Sequence, residues 1–312
     1  MCFGKLNIHV IIITKYLLLF SFGEVTNEQK CIKGGICVLD IWFTENHTEG
    51  YRVSWRVDKI LYTEKSPFQE IAVIESPDLG RALLLNNMVQ TTTRFEFIYH
   101  EMIAHVPLMM HPRPKRVMII GGGDGGTVRE VLKHPAVEAV ELVEIDERVI
   151  EISKEWLPEI SFALGSHKVN ILIEDGLKYV KRYSSRYDVI IVDCTDPGGP
   201  SLDLFTRGFY QDVFQALKDD GIMVSQTGSP TFSPHFKQAV ESIRQVFPHS
   251  KPYLTSEPAY MAGFWTFTIG SKEYKFDHIN AGRVLTADTR YYTPEIHRAA
   301  FVLPKYIDQL IK

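Results

Sequence analysis

The residues with the most chemistry in them lie together at Asp193-Cys194-Thr195-Asp196, directly ahead of Pro197-Gly198-Gly199-Pro200. Two carboxylates placed this closely can hold an ammonium group or take a proton from one. Cys194 stands between them, but the sequence puts no histidine beside it, so it reads as a small neutral side chain rather than an activated nucleophile. Asp196-Pro197 also fits an ordinary turn. The loop alone does not choose between a site and a turn, and the elements around it have to.

The run before the loop, Tyr187 to Val192, is short, apolar and rich in β-branched residues, which predicts a buried parallel strand. The two acids therefore sit at or just past the carboxyl end of a central strand, where open α/β sheets bind ligands. Upstream, Arg116 to Ile120 predicts another strand, followed at once by Gly121-Gly122-Gly123-Asp124-Gly125-Gly126 and a helix from Thr127 to Lys133. Strand, glycine loop and helix start form a nucleotide-type loop. Asp124 inside it disfavours a pyrophosphate and suits a cationic or hydroxyl-bearing ligand. The next strand, Ala139 to Glu144, ends in an acid roughly 20 residues after the loop, where such folds hold ribose hydroxyls. Val169 to Ile173 leads into Glu174-Asp175-Gly176, where an acid can accept from an adenine amino group. Ile222 to Gln226 follows a helix over Phe209 to Leu217 and a stop at Gly221. Strand after strand ending in polar groups on one edge implies a nucleoside site with an attached acidic pocket.

The first half reads differently. Arg52 to Val57, Ile71 to Glu75 and Ala82 to Leu85 predict strands, with turns at Pro77 to Gly80 and at Asn86-Asn87. These form a small antiparallel β domain over residues 38–95, ahead of a catalytic domain over 96–312 that closes with a helix near Tyr306 to Ile311. Trp42, Gln69 and Gln90 fall in the β domain. A helix from Phe95 to His105 carries Glu96, Tyr99, His100 and Glu101, which is not a metal-binding H-E-x-x-H pattern, and no metal is expected. Net charge is −4 over 312 residues with no basic block, which argues against a nucleic-acid partner. The four cysteines, Cys2, Cys31, Cys37 and Cys194, have neither zinc spacing nor a disulfide framework. Leu6 to Phe22 is apolar but interrupted by His9 and Lys15, short of the about 20 apolar residues that a spanning helix needs. Residues 1–37 are expected to lie outside the fold, as a region ahead of a mis-assigned start.

With these pieces in order, the chain from about Trp42 onward resembles the polyamine aminopropyltransferases, the spermidine synthase family, in its bacterial form. The pieces are Trp42-Phe43-Thr44-Glu45, Phe68-Gln69, Tyr99 to Met102, Gly121 to Gly126, Glu144-Ile145-Asp146, Glu174 to Gly176, Asp193 to Pro200, Gly263 to Lys272, Tyr291 to Thr293, and His297 to Pro304. The resemblance implies a Rossmann-like, doubly wound, class I methyltransferase-like domain behind the small β domain, assembled as a cytoplasmic homodimer or homotetramer. It implies decarboxylated S-adenosylmethionine as co-substrate, no cofactor, putrescine as acceptor, and spermidine and methylthioadenosine as products. Carried over by position, Gln69, Glu144, Asp175, Gly176 and Pro200 line the thioadenosine site. His100, Asp124, Asp193, Cys194, Thr195, Asp196, Gln226 and Tyr260 line the polyamine side, with Asp193 as general base.

The sequence departs from the family where Phe95 replaces an Asp expected to hold the donor's ammonium, where Leu79 replaces a pocket Tyr, where Asn86-Asn87 replaces Asp-Gly, and in Thr227-Gly228-Ser229, which lacks an acid. The amine half is thus expected to be partly neutralised. Besides a spermidine synthase, this leaves open a changed donor or acceptor, such as aminocarboxypropyl transfer from S-adenosylmethionine, and a weakly active paralogue. A methyltransferase shares the nucleoside half.

Overall fold

The computed structural model describes residues 26–31, 37–196, 199–260, 263–276, 278–280 and 288–312, and the backbone alone of 26–31, 37–40, 199 and 200. Seven strands come first: β1 Thr26–Cys31, β2 Cys37–Thr48, β3 Tyr51–Val57, β4 Lys59–Lys65, β5 Glu70–Ser76, β6 Gly80–Leu85 and β7 Met88–Thr92. They form two antiparallel sheets, ordered β1-β2-β3 and β4-β5-β6-β7. Strand β1 falls inside the stretch expected to lie outside the fold, and pairs along β2 from Thr26 opposite Trp42 to Cys31 opposite Cys37. The apolar run Leu6 to Phe22 lies outside the described residues. Asn86 and Asn87 join β6 to β7 with φ of 48° and 61°. Two successive residues in the left-handed region make the tight turn that matches strand twist, and asparagine tolerates it better than most.

Helix α1, Glu96–Met110, crosses to the second domain and is buried on all sides. Next come β8 Arg116–Gly121, α2 Gly126–Leu132, β9 Ala139–Glu144, α3 Glu147–Trp156, α4 Pro158–Ser161, β10 Val169–Ile173, α5 Gly176–Val180, β11 Tyr187–Asp193, α6 Arg207–Ala216, β12 Leu217–Gly228, α7 Phe236–Arg244, β13 His249–Thr255, β14 Trp265–Ser271, α8 Pro294–Ala300 and α9 Lys305–Leu310. One sheet collects the strands in the order β10-β9-β8-β11-β12-β14-β13. The first five run parallel, and β14 runs antiparallel to both β12 and β13. This is the Rossmann-like sheet expected from the sequence. The expected helix over Phe209 to Leu217 ends instead at Ala216, and Gly221 lies within β12 rather than stopping a helix.

The sheet is covered on both faces, and the strand sequences show why. Val117 and Ile119 of β8 and Val189 and Ile191 of β11 pack with Met102, Val106, Val128 and Val131 of α1 and α2. Met118, Ile120, Ile190 and Val192 alternate with them and pack on Phe209, Val213, Ala239 and Ile243 of α6 and α7. Period-two alternation between two apolar faces is what a continuous apolar strand allows. Strands β8, β9 and β10 step outward one way, and β11 returns to the other side of β8. The sheet therefore reverses direction between β8 and β11, which is where open α/β sheets leave a crevice.

The β domain is fastened to this sheet. Ile71, Val73, Leu83 and Leu85 pack on Val149, Ile152, Leu157 and Ile160 of α3 and α4. Asp146 pins the joint. It caps α3 by accepting from the Arg148 N–H, and its Oδ2 accepts from Ser66 at 2.7 Å and from Gln69 at 2.9 Å.

Candidate active site

A cavity of about 400 Å³ opens at the reversal point, over the carboxyl ends of the parallel strands. Its lining contains Gln69, His100, Asp124, Glu144, Asp175, Gly176, Asp193, Cys194, Thr195, Asp196, Gln226 and Tyr260. Every residue carried over to the site by position is thus brought together except Pro200, whose side chain lies outside the described residues. Sheet order also sorts them. Asp175 follows β10, Glu144 ends β9, Gly121 to Asp124 follow β8, Asp193 ends β11 and Gln226 lies on β12. Strands sit about 4.8 Å apart, so this row spans about 19 Å, enough for a nucleoside and an attached chain.

Asp193 is held at both oxygens. The Tyr99 hydroxyl donates to Oδ1 at 2.6 Å and the Thr127 hydroxyl to Oδ2 at 2.6 Å. Burial pushes its pKa above the usual carboxylate range, and the Asp124 charge adds to that. Gly121, with φ +82°, lets β8 pass close by, since a Cβ there would lie 2.2 Å from the Asp193 carbonyl oxygen. Asp196 is pushed up to about 6 by burial, and among the described residues its Oδ1 has no hydrogen-bond partner. Burial pushes the Cys194 thiol up as well, so it is a neutral wall rather than a nucleophile.

On the β9 side, burial pushes Glu144 up to about 7, although its Oε1 accepts from the Asp146 N–H at 3.0 Å. Asp175 caps α5 by accepting from the Leu177 N–H. Gly176 is required by packing, because a Cβ there would meet Ile120 at 2.4 Å. Gln69 donates to Asp146, so the domain joint also orients a cavity residue. Gln226 and Tyr260 are struts. The Gln226 amide donates to the Cys194 carbonyl and accepts from the Gly228 N–H, while the Tyr260 hydroxyl donates to the Gln90 carbonyl.

The β domain adds a far end that sequence reasoning did not assign. Glu45 is 1% exposed, accepts from the Val89 N–H through Oε1, and finds no hydrogen-bond partner for Oε2 among the described residues. His47 lies 3.5 Å from that oxygen, and Trp265 contributes an indole N–H that is also unsatisfied. Tyr99, Glu45, His47 and Trp265 all line the cavity. Glu45 and Tyr99 lie inside runs that carry the family resemblance, which was the signal available for them.

A model of the spermine/spermidine synthase domain matches residues 96–280, and one of the spermidine synthase tetramerisation domain matches residues 41–93. The chain belongs to the spermine/spermidine synthase family. It is 48% identical over 273 residues to a polyamine aminopropyltransferase of Thermoanaerobacter sp. (strain X514), covering 87% of this chain and 99% of that one. It is 45% identical over 274 residues to the polyamine aminopropyltransferase of Bacillus subtilis (strain 168), covering 88% and 99%. A crystal structure of spermidine synthase with the transition-state analogue AdoDATO superposes with a TM-score of 0.83 at 36% identity, covering 93% of this chain and 97% of that one. The spermidine synthase of Thermotoga maritima superposes with a TM-score of 0.81, also at 36% identity.

Two departures from the family pattern take on a different meaning. Phe95 is not in the cavity. It is the N-cap residue of α1 and packs in the β-domain core with Ala259 and Tyr260. An Asp at that place caps a helix, and no argument about donor charge follows from its loss. Leu79 is fully buried in the same core and does not face the cavity either. The expectation of a partly neutralised amine half rested on these positions, on Asn86-Asn87 and on Thr227-Gly228-Ser229, of which Asn86 alone lines the cavity. That expectation is corrected by Asp193, Asp196, Asp124 and Glu45 around the cavity.

The helix acids are likewise accounted for. Glu101 accepts from the N–H groups of Arg290, Tyr291 and Tyr292, each at 2.7 Å. Among the described residues one cluster, His111, Asp188 and Asp220, has metal-like spacing, at the opposite end of the sheet. Asp188 there is already paired with Lys218 at 2.7 Å, and His111 Nδ1 accepts from the Arg113 N–H, which leaves its proton on Nε2. No helix of the described residues is long and apolar enough to cross a membrane.

Proposed function

We propose that this chain transfers the aminopropyl group of decarboxylated S-adenosylmethionine to putrescine, giving spermidine and methylthioadenosine. The observation that carries the reading is the position of Asp193, held by two hydroxyls between a nucleoside half over β8 to β10 and an acidic half over β11, β12 and the β domain. The relatives' names and the bound analogue of the superposed enzyme support the same chemistry.

In that reading Glu144 takes the ribose hydroxyls and Asp175 the adenine amine, with Gln69 and Gly176 beside them. The acceptor enters as a dication. Its distal ammonium meets the unsatisfied oxygens of Glu45 and Asp196. Its proximal amine lies at Asp193, with Asp124 and His100 near. Amines of this kind are protonated near neutrality, with a pKa near about 10 by analogy with lysine. Burial lowers the amine's pKa and raises that of Asp193, so the two approach each other and the proton passes to the carboxylate. The freed lone pair attacks the methylene carbon bonded to the sulfonium. The C–N bond forms as the C–S bond breaks, and the sulfur keeps the electron pair. A sulfonium is already a good leaving group, so the step needs alignment and a base rather than a metal or organic cofactor. The reading includes a homo-oligomer, supported by the tetramerisation-domain match, and a cytoplasmic location.

The test is mass spectrometry of products from a mixed pool of diamines, with decarboxylated and intact donor in parallel. Spermidine and methylthioadenosine from the decarboxylated donor are expected. A methylated amine with adenosylhomocysteine, or transfer only from the intact donor, overturns the reading.

A further inference from the structure

A line of buried charges runs from the cavity into the body of the protein, and the reaction as described uses none of it beyond Asp124 and His100. His100 is 3% exposed and Glu96 is 7% exposed. His100 Nε2 lies 3.4 Å from Asp124 Oδ2, and its Nδ1 lies 2.6 Å from Glu96 Oε2, one helical turn back on α1. Arg129 of α2 donates to the same Glu96 oxygen at 2.7 Å, and its Nε donates to Glu130 at 2.8 Å. Glu130 also meets His105 at 3.0 Å and Lys133 at 2.7 Å. The ring of His100 is pressed on Gly126, where a Cβ would lie 2.3 Å from it. It cannot turn without opening the α1–α2 contact.

We propose that Glu96 is a positioning residue for His100. It fixes the ring with one N–H toward Asp124 and holds it as an imidazolium, so that one cation stands among the cavity acids. The inference rests on the function proposed above and names a residue of the same site. Its chemistry is simple. With carboxylates at both ring nitrogens, each nitrogen needs a proton, and an imidazolium supplies both. The groups that bear on the ring are Glu96 and the edge-on Tyr99 from α1, Asp124 from the glycine loop, Asp193 from β11 and Glu257 from the segment after β13, with Arg129 of α2 as the opposing cation, on the same Glu96 oxygen as the ring. Against the effect of burial, Asp124 and Glu96 hold His100 well above the usual histidine range. In return the cation opposes the rise at Asp193 and keeps that base ionised before the amine arrives.

Glu96→Gln tests this, since glutamine can still accept from His100 and Arg129 but carries no charge. In histidine-labelled protein the His100 ring signal, assigned by its absence in His100→Gln, is expected to titrate well above the usual histidine range in the wild type and lower in Glu96→Gln. A neutral His100 at pH 7 in the wild type, or the same titration in both proteins, overturns the proposal. That readout needs no turnover, so it stands apart from a failure of the proposed reaction, which the wild-type product analysis would reveal. Where the wild type does turn over, Glu96→Gln is expected to lower kcat/KM about tenfold at neutral pH and to move the acidic limb of its profile upward. In a His100→Gln background the same change is expected to have less than about a twofold effect. An equal loss in both backgrounds assigns Glu96 a structural role only and overturns the proposal. Arg129→Gln, if it folds where Glu96→Gln does not, is expected to shift His100 in the opposite sense, and a downward shift there counts against the proposal.

Discussion

Asp193 and Tyr99 give the sharpest expectations at the scale of single residues. Asp193→Asn keeps a carbonyl oxygen for the Tyr99 hydroxyl and removes the base. Turnover is expected to fall by about 10²- to 10⁴-fold, while methylthioadenosine affinity, read by calorimetry, stays within about threefold because the nucleoside half sits on other strands. Loss of nucleoside binding as well would place Asp193 in the donor seat instead. Tyr99→Phe removes one of the two hydroxyls that orient the carboxylate. It is expected to lower kcat about tenfold with less change in KM, since a base off its line costs more in the transition state than in binding. Steady-state kinetics on both substrates checks this.

At the scale of elements, helix starts do double duty. Asp146 caps α3 and also carries the Ser66 and Gln69 contacts that join the two domains. Asp146→Ala removes a cap worth about 1 kcal/mol and leaves buried donors unpaired at about 1–3 kcal/mol. A loss of about 3 kcal/mol in denaturant unfolding is expected, with a raised donor KM because Gln69 loses its anchor. Phe95 makes the contrary case. Phe95→Asp supplies a cap to α1 and removes a partly buried ring from the β-domain core. The two effects are each about 1 kcal/mol and opposed. Stability is expected to move by no more than about 1 kcal/mol, and the KM for either donor not at all. A donor switch in this variant would put Phe95 back into the site.

At the scale of the whole molecule, two acids lining the cavity and a third buried outside its lining resist ionisation. Burial pushes Asp196 up to about 6, Glu144 up to about 7 and Glu257 up to about 8. A carboxyl raised in the folded state binds protons that the unfolded chain has released, so each of these lowers stability as pH climbs through its window. His100, raised by its acid partners, acts in the same direction above its ordinary 6.5. His297 is pushed down to about 4 by burial and acts the other way, but only below 6.5. Between pH 6.5 and 8 the signs agree, and the melting temperature of the empty protein is expected to fall. Putrescine with methylthioadenosine restores counter-charge, so its stabilising shift is expected to be larger at pH 8 than at pH 6. Scanning calorimetry at fixed ionic strength measures both, and a shift that shrinks with pH would mean that the cavity does not seat cations.

Much of the sheet could be read directly from sequence, because buried parallel strands are apolar on both faces and glycine loops mark their ends. Arg116 to Gly126, Ala139 to Glu144 and Tyr187 to Asp196 show that pattern locally. Glu144, Asp175 and Asp193 were visible for the same reason, each standing where a strand stops. Of the β domain's share of the site, Gln69 was assigned through the family resemblance, but Glu45 and His47 were not, since they are distant in sequence from every strand end they face. Phe95 and Leu79 were misplaced because a sequence does not say whether a departure from a pattern faces a ligand or a core. Burial decides that, and burial belongs to the packing of β3, β5, β6 and β7 against the segment carrying Ala259 and Tyr260. The residue types fixed which chemistry was available. Only the tertiary contacts decided which acids share one cavity, which spend their charge on backbone as Glu101 does, and which cation stands among them.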